Sequence, residues 1–343
     1  MASYTDIRGL RVKYLSSDPS TATEGEVWYN STSGTLKASL LVGAWSSGGS
    51  SNSNTSSSIS GTQTAALAAL GYSYSPTSPV GGRTISEEYN GATWTSGGEA
   101  NTSRYQNNSS GPQTATMVLG GAAGTGDSGP YTISAAAEDY NGTGWTSLTN
   151  LPVARAGGIP MVGPADTLLA TGGNDNMSGE PIDTTFEYTS SSWTTGTAYP
   201  NPQNGMGAVG TQTAAFFYGG TRVNTGDPAQ AETNTYNGTS FSAETALPAA
   251  TRNWGGKSGT QTDCIAACGT PGPGSPNPFE NTTLTWDGSA WSTSAATTAI
   301  ARNGAGGNMS GTSTSALIAR TGSPRLATEE YDLAVGTQTL TTS

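Results

Sequence analysis

Residues 145–193 carry one complete example of a pattern that recurs along the chain. The apolar run 167–171 predicts a buried central strand, because a short, continuous apolar stretch between turn residues packs on both faces. Residues 183–188 alternate between polar and apolar side chains, which predicts a strand with one buried face. Residues 155–158 are predicted to form the innermost strand, and Trp193 begins the outermost one. The pattern predicts four short strands joined by turns.

Two motifs repeat six times with a period near 50 residues. The first, in its cleanest copies Gly-Thr-Gln-Thr-Ala, begins at Gly61, Gly111, Gly163, Gly210, Gly259 and Gly311. The second is Tyr-Asn-Gly followed by Trp, with the aromatic pairs Tyr89 and Trp94, Tyr140 and Trp145, Tyr188 and Trp193, Tyr236 and Phe241, and Trp286 and Trp291, and with Tyr331 in the sixth copy. Repeats of this length with Gly pairs are typical of propeller blades. The sequence therefore predicts an all-β, six-bladed propeller, with the aromatic side chains between neighbouring blades.

Four of the six periods also place an arginine before the apolar run, and glycine, often a Gly-Gly pair, follows that run. The arginines are Arg104, Arg155, Arg252 and Arg302. With the Tyr and Trp that follow, these residues resemble kelch-repeat β-propellers over residues 46–343, which implies a six-bladed kelch-like β-propeller. Asn204 replaces the arginine in one period, and the serine-rich stretch 46–60 replaces it in the first. We interpret the arginines as structural hydrogen-bond donors, and an anion-binding ring around the axis is the alternative.

The N-terminal residues differ from the repeats. Residues 25–37, with Trp28, Tyr29 and Asn30, are predicted to form a hairpin. Together with residues 12–15, this stretch resembles an N-terminal module of bacteriophage virion structural proteins and tail fibres, and residues 45–49 and 61–67 resemble kelch-type phage proteins of aquatic environments. The resemblance implies an attachment module at residues 1–39 and a propeller at residues 40–343. An ordinary edge hairpin on the propeller is the alternative for this stretch.

Closure of the ring has two possible solutions. Trp45 lies 16 residues before Gly61, close to the 17-residue step from Trp94 to Gly111. We therefore predict that residues 40–45 pair with the last blade and supply its missing Trp. In the alternative, the threonine-rich residues 336–343 complete that blade and Trp45 only caps it.

Charge and composition exclude several classes of protein. The net charge is −11, and the 13 Lys and Arg residues are scattered, so nucleic-acid binding is not expected. No run of 18 apolar residues predicts a membrane span, and the first residues lack the pattern of a secretory signal. Cys264 and Cys268 would lie about 13 Å apart on one face of a strand, which is too far for a disulfide, so we expect two small buried side chains.

The chemistry available to the chain is limited because it contains no histidine. This excludes a His-ligated copper centre and a Ser-His-Asp triad. The carboxylate pairs Glu87-Glu88, Glu138-Asp139 and Glu329-Glu330 have the residue type for glycoside hydrolysis, but they recur at one position beside the Tyr, which indicates a structural role. We predict no catalytic residue, no metal ligand and no cofactor.

The predicted function is that of a non-enzymatic virion structural protein on a phage tail or capsid surface, either a tail fibre or spike or a head decoration. The implied partners are other virion proteins, bound through the N-terminal module, and a host-surface glycan or protein, bound by loops of the propeller. Several copies in one particle would strengthen weak contacts. A carbohydrate-active propeller enzyme and a kelch-type protein-interaction module are the alternatives.

Overall fold

The computed structural model describes residues 12–53, 55–73, 81–123, 132–175, 180–222, 229–252, 258–272, 279–302, 309–320 and 325–340. These residues form two compact units. The small unit contains residues 12–44 and 332–340, and the large unit contains the described part of residues 45–331. The described residues are all-β and contain no helix, so none of them forms an apolar helix that could cross a membrane.

The small unit is built on a hairpin. Strand β1 (Lys13–Leu15) pairs in parallel with β2 (Val27–Asn30), and β2 pairs antiparallel with β3 (Thr35–Ser47) from Asn30 opposite Thr35 to Val27 opposite Ala38. The hairpin therefore lies where the sequence predicts it. The other strand of this unit is the end of a long C-terminal strand, from which the Leu340 amide donates to the Leu36 carbonyl at 2.9 Å.

The large unit contains the six sequence periods, which we number as repeats I to VI. Repeat I contains β4 (Thr55–Thr62), β5 (Ala65–Ser73), β6 (Gly81–Gly82), β7 (Ser86–Tyr89) and β8 (Trp94–Ser96). Repeat II contains β9 (Asn108–Ser110), β10 (Thr116–Leu119), β11 (Ala122–Ala123), β12 (Thr132–Ile133), β13 (Ala137–Tyr140) and β14 (Trp145–Ser147). Repeat III contains β15 (Met161–Val162), β16 (Thr167–Thr171), β17 (Thr185–Thr189) and β18 (Ser192–Thr195). Repeat IV contains β19 (Gly207–Thr211), β20 (Ala214–Tyr218), β21 (Thr233–Tyr236) and β22 (Phe241–Ala243).

Repeats V and VI have the same kinds of strand. Repeat V contains β23 (Thr251–Arg252), β24 (Ser258–Gly259), β25 (Cys264–Ala267), β26 (Thr270–Pro271), β27 (Thr283–Trp286) and β28 (Trp291–Thr293). Repeat VI contains β29 (Met309–Gly311), β30 (Ser315–Ala319) and β31 (Thr328–Thr339), and β31 continues into the small unit. Within each repeat, successive main strands pair antiparallel, as tight turns between them require.

The number of separate sheets differs from the prediction. Repeats I to IV each form a separate blade-like sheet, so the structure has four such sheets rather than six. The strands of repeats V and VI belong to one ten-stranded sheet, ordered β1-β2-β3-β31-β30-β29-β24-β25-β27-β28. The two repeats are joined because their innermost strands, β24 and β29, pair in parallel at Ser258 and Gly311.

The innermost strands of the large unit contact one another in cyclic order. β4 contacts β9, followed by β15, β19, β24 and β29, and β29 contacts β4. Ser60, Ser110, Gly163, Gly210 and Ser310, from five of the repeats, line one cavity of about 230 Å³. The large unit therefore has a propeller-like arrangement around a narrow cavity lined by small residues.

An aromatic pair lies on the outer two strands of every repeat. The ring centroids are 4.9 Å apart for Tyr89 and Trp94, 5.1 Å for Tyr140 and Trp145, 4.8 Å for Tyr188 and Trp193, 4.6 Å for Tyr236 and Phe241, 5.4 Å for Trp286 and Trp291, and 5.3 Å for Tyr331 and Trp45. These distances are those of favourable aromatic contacts, and they explain why the Tyr-to-Trp spacing recurs.

Trp45 supplies the aromatic residue that repeat VI lacks in its own stretch of sequence. Strand β3 is the hydrogen-bonded neighbour of β31, and the Gly48 amide donates to the Thr328 carbonyl at 2.9 Å. The Trp45 indole donates to Thr283 at 2.9 Å, just as Trp94 donates to Thr328 at 2.9 Å. Pairing of the N-terminal segment with the last repeat is confirmed. Residues 336–339 continue β31, which runs without a break from Thr328 to Thr339, instead of forming a new strand.

One strand prediction is wrong. Residues 155–158 were predicted to form the innermost strand of repeat III, but that strand is β15, Met161–Val162. Gly157 and Gly158 have φ angles of +78° and +67°, which do not fit an extended strand. Of residues 155–158, Ala156 alone takes part in a β-bridge, with Asn174 as its partner. The other strands of this repeat lie where the apolar run and the alternation predict them.

Candidate ligand-binding pocket

Arg104 illustrates how the arginines of the repeats are used. Its side chain is completely buried, and Nη1 donates to the carbonyls of Gly120 at 2.9 Å and Ala136 at 2.7 Å. Nη2 forms an ion pair with Glu138 at 2.7 Å. All these partners belong to repeat II, so the guanidinium joins strands of its own repeat and leaves no charge facing solvent.

The other predicted arginines vary this arrangement. Arg302 is also completely buried and pairs with Glu329 at 2.8 Å. Arg155 has the ring of Phe186 where Arg104 has a glutamate, with 4.4 Å between the guanidinium carbon and the ring centroid. Burial lowers the pKa of Arg155 to about 10. The predicted equivalence of Arg252 is wrong: the Gly220 amide donates to the carbonyl of Thr251, as the Gly121 amide donates to that of Arg155, and Arg252, one residue later, is half-buried in β23.

Repeat I receives its arginine from repeat VI. Arg320 is completely buried, forms an ion pair with Glu87 and donates to Thr55 at 2.7 Å. It occupies the position of the first glycine of the Gly-Gly pair, with a φ of +62°, where Gly172 of repeat III has +64°. A residue with a side chain is strained in this conformation. Arg320 thus replaces the arginine that the serine-rich stretch 46–60 lacks.

The carboxylate pairs face two different environments. The first glutamates, Glu87, Glu138 and Glu329, hold the buried arginines. The second members face the neighbouring repeat, where Glu88 accepts from the Tyr140 hydroxyl at 2.6 Å and Glu330 accepts from Tyr89 at 2.5 Å. Burial and these carboxylates raise the pKa of both tyrosines to about 12. The carboxylates therefore serve contacts within and between repeats.

Other groups with possible chemistry are also enclosed. Cys264 and Cys268 are buried free thiols, and burial raises the pKa of Cys268 to about 11, so it is poorly reactive at neutral pH. Among the described residues, no three His, Cys, Asp or Glu side chains are grouped as metal ligands. The prediction that Asn204 replaces an arginine is wrong: Asn204 forms the bridge that Tyr105 and Ala156 form in their repeats, and Gln203 holds the arginine position, since its carbonyl accepts from the Gly173 amide as that of Arg155 accepts from Gly121. Asn204 donates to Asn174 at 2.5 Å.

A pocket of about 380 Å³ lies between repeats I and II. It is lined by Ser56, Ser57, Ser58, Tyr72, Tyr105, Gln106 and Asn107. The rings of Tyr72 and Tyr105 meet edge to face, 5.2 Å between centroids. All seven of these described side chains are neutral, and each carries a hydroxyl or an amide.

The backbone around the pocket departs from regular strand geometry at two points. A β-bulge in β4 lies between Ser56 and Ser58, and Asn107 donates to the Ser58 hydroxyl at 3.0 Å. Bulges often redirect side chains beside binding sites. Gln106 is exposed and has a φ of +55°, an unfavourable conformation for a residue with a side chain. Strain of this kind is frequent at functional sites.

The same positions in the following repeats hold smaller residues. Tyr72 follows the Gly-Gly position and corresponds to Ala122 in repeat II. Tyr105 and Gln106 correspond to Ala156 and Gly157 of repeat III, since Tyr105 and Ala156 each form the bridge that precedes the innermost strand. Sequence reasoning missed this pocket because it concentrated on residues that recur. An alignment of the six periods that sought large residues at otherwise small positions could have found it.

The predicted attachment residues lie in the hairpin of the small unit. Trp28 and Asn30 are buried and both donate to Asp18 Oδ1, at 3.0 and 2.7 Å. Tyr29 lies on the opposite face, stacked on Tyr14 at 5.0 Å between centroids. Two of the three residues therefore contact the inside of the unit, and Tyr29 lies near its surface.

Comparisons with known proteins support the fold. No protein-family model matches the chain, and no curated protein matches it. Among solved structures, the chain is similar to YjhT, a propeller-like protein, with a TM-score of 0.63 and 14% sequence identity over 85% of this chain and 99% of the YjhT chain. At this identity the similarity shows the propeller-like fold alone.

Proposed function

We propose that this chain is a non-enzymatic structural protein of a bacteriophage virion, a fibre, spike or decoration protein of kelch type. In this proposal the six repeats are the blades of one closed propeller, the small unit attaches to the particle, and the propeller is displayed to the host surface. The cyclic contacts of the six innermost strands support the closed ring.

The proposal that the small unit attaches to the particle rests on the distribution of exposed apolar side chains. Among the described residues, eight of the eleven exposed large apolar side chains belong to the small unit: Val12, Tyr14, Val27, Leu36, Leu40, Leu41, Val335 and Leu340. Only Val153, Phe279 and Leu326 belong to the large unit. Concentrated exposed apolar surface is typical of protein-interaction sites.

The strand register gathers part of this set on one face of the hairpin. Tyr14 is opposite Tyr29, and Tyr29 is opposite Leu36, so the three side chains point to the same side of the sheet. Tyr14 is 74% exposed. The opposite face holds Trp28 and is covered by the segment that carries Asp18. The apolar face is thus the side of the small unit available to another virion protein.

The test is cryo-electron microscopy, with mass spectrometry, of purified particles from the source that encodes the chain. We expect the chain in intact particles, with the small unit against another virion protein. A variant with Tyr14→Ser and Leu36→Ser should fold but fail to enter particles. The matched variant Val153→Ser, which removes an exposed apolar side chain from the large unit, should enter normally.

Absence of the chain from purified particles, with its presence only in lysates of infected cells, would contradict the proposal. Equal incorporation of the Tyr14→Ser, Leu36→Ser variant would contradict the assigned attachment face. Sustained turnover of a saccharide by the purified chain would show that the protein is an enzyme.

A further inference from the structure

We propose that the pocket lined by Tyr72 and Tyr105 binds a neutral saccharide, with one or two sugar rings seated between repeats I and II. This inference rests on the proposed function and deepens it, since it assigns the ligand class and the site of the displayed unit. The pocket volume of about 380 Å³ suits a small ligand.

The lining matches the two surfaces that a sugar ring presents. A sugar has faces of C–H groups, which pack against aromatic rings, and an edge of hydroxyls, which both donate and accept hydrogen bonds. Tyr72 and Tyr105 supply the aromatic surface. Ser56 and the amides of Gln106 and Asn107 supply donors and acceptors in one place.

Charge favours a neutral sugar over an acidic one. None of the described lining side chains is cationic, and the chain carries a net charge of −11, so an anionic group would gain no ion pair from them and would meet an unfavourable field. The guanidinium of Arg320 donates to the Ser57 hydroxyl at 3.2 Å and is paired with Glu87. It is therefore already neutralised.

The left-handed backbone at Gln106 allows the contribution of this side chain to binding to be tested separately from its effect on stability. The following repeats have glycine in this conformation, Gly157 at +78° and Gly205 at +61°. Repeat II keeps a glutamine there although glycine would relieve the strain, and its exposed amide lies at the pocket rim. Gln106→Gly should therefore separate stability from binding, because it relaxes the backbone while it removes a ligand contact.

The experiment measures saccharide binding by the purified full chain, using saturation-transfer NMR and titration calorimetry. The probes are glucose, galactose, mannose, N-acetylglucosamine and their β-linked disaccharides, with glucuronic acid and N-acetylneuraminic acid as acidic probes. We expect at least one neutral probe to bind. Tyr72→Ala and Tyr105→Ala, which copy Ala122 and Ala156, should each weaken it about tenfold. Gln106→Gly should weaken binding several-fold with an unchanged or higher melting temperature.

Val153→Ala, at an exposed side chain of the large unit that does not line the pocket, is the control and should bind like the unmodified chain. Three outcomes would overturn the inference: no binding of any neutral probe, binding of acidic probes only, or unchanged binding by all three pocket variants. None of these results bears on particle association, so failure of this site and failure of the virion proposal are distinguishable.

Discussion

The junction between repeats VI and I and the junction between repeats II and III are built from the same strands but are held differently. At the first, Gln63 donates to the carbonyl of Tyr331 at 2.9 Å, and Tyr89 donates to Glu330. At the second, Ala165 stands where the other repeat has Gln63, and Asp139 stands where it has a glutamate. We call the two kinds of contact the glutamine link and the tyrosine link.

A cavity lies where the glutamine link and the tyrosine link are absent between repeats II and III. A cavity of about 460 Å³ lies between repeats II and III and is lined by Asp139, Ala165 and Tyr188. Asp139 Oδ1 is buried and has no hydrogen-bond partner among the described residues, because its side chain is one methylene shorter than that of glutamate. Contacts near the axis persist, such as that from Ser110 to the Gly163 carbonyl at 2.7 Å. The two junctions therefore differ in their outer parts only.

The comparison shows where the ring is reinforced. The junction that joins the two ends of the repeat array has both links and also the ion pair of Arg320 with Glu87. The chain also crosses this junction, because β3, the outer strand of repeat VI, leads directly into β4 of repeat I. The break in the chain lies within repeat VI, where β3 is joined to β31 by noncovalent pairing, and the additional ion pair strengthens the junction next to this break.

The largest effect is expected from breaking the ion pair at the closing junction. Arg320→Met should lower the free energy of unfolding by about 3–5 kcal/mol, because it leaves Glu87 buried without its partner. Urea unfolding of the full chain measures it. The double variant Arg320→Met, Glu87→Met should be closer to the unmodified chain, since it leaves no unpaired charge. A double variant less stable than Arg320→Met would contradict the explanation.

Much of the strand architecture could be predicted from the sequence because the motifs that form each strand recur about every 50 residues. The Tyr-to-Trp spacing predicts the aromatic pairs, and the spacing of Trp45 predicts its place in repeat VI. The role of Arg320 could not be predicted, because a residue at a glycine position replaces an arginine missing far away in sequence. The pocket was missed because Tyr72 and Tyr105 recur nowhere else in the pattern.

Installing the glutamine link at the open junction is expected to have a smaller, stabilising effect. The carbonyl acceptors of Gln113 are Ala66 and Tyr89, which are register partners. Thr116 and Tyr140 are the equivalent partners next to Ala165. Ala165→Gln should therefore raise the free energy of unfolding by about 1 kcal/mol, after the cost of ordering the side chain.

Two variants control this prediction. Ala165→Glu has the same shape but no amide donors and adds charge near Asp139, so it should not stabilise the chain. Gln63→Ala removes the same link from the closing junction and should destabilise by about 2 kcal/mol. Equal effects of Ala165→Gln and Ala165→Glu would mean that filling the cavity, and not the hydrogen bonds, determines the stability of the junction.

The smallest effect concerns the charge of Asp139 and depends on pH. Burial raises the pKa of Asp139 above its ordinary value of 3.8, so the folded protein favours the protonated carboxyl. The unmodified chain therefore loses stability as pH rises from 3.8 through the raised pKa, and Asp139→Asn does not lose it. We expect the variant to be the more stable at pH 7 and the difference to vanish below pH 3.8. Urea unfolding of both proteins across this range measures the difference, and a difference that stayed constant with pH would contradict the prediction, because it would show that the pKa of Asp139 is the same in the folded and the unfolded protein.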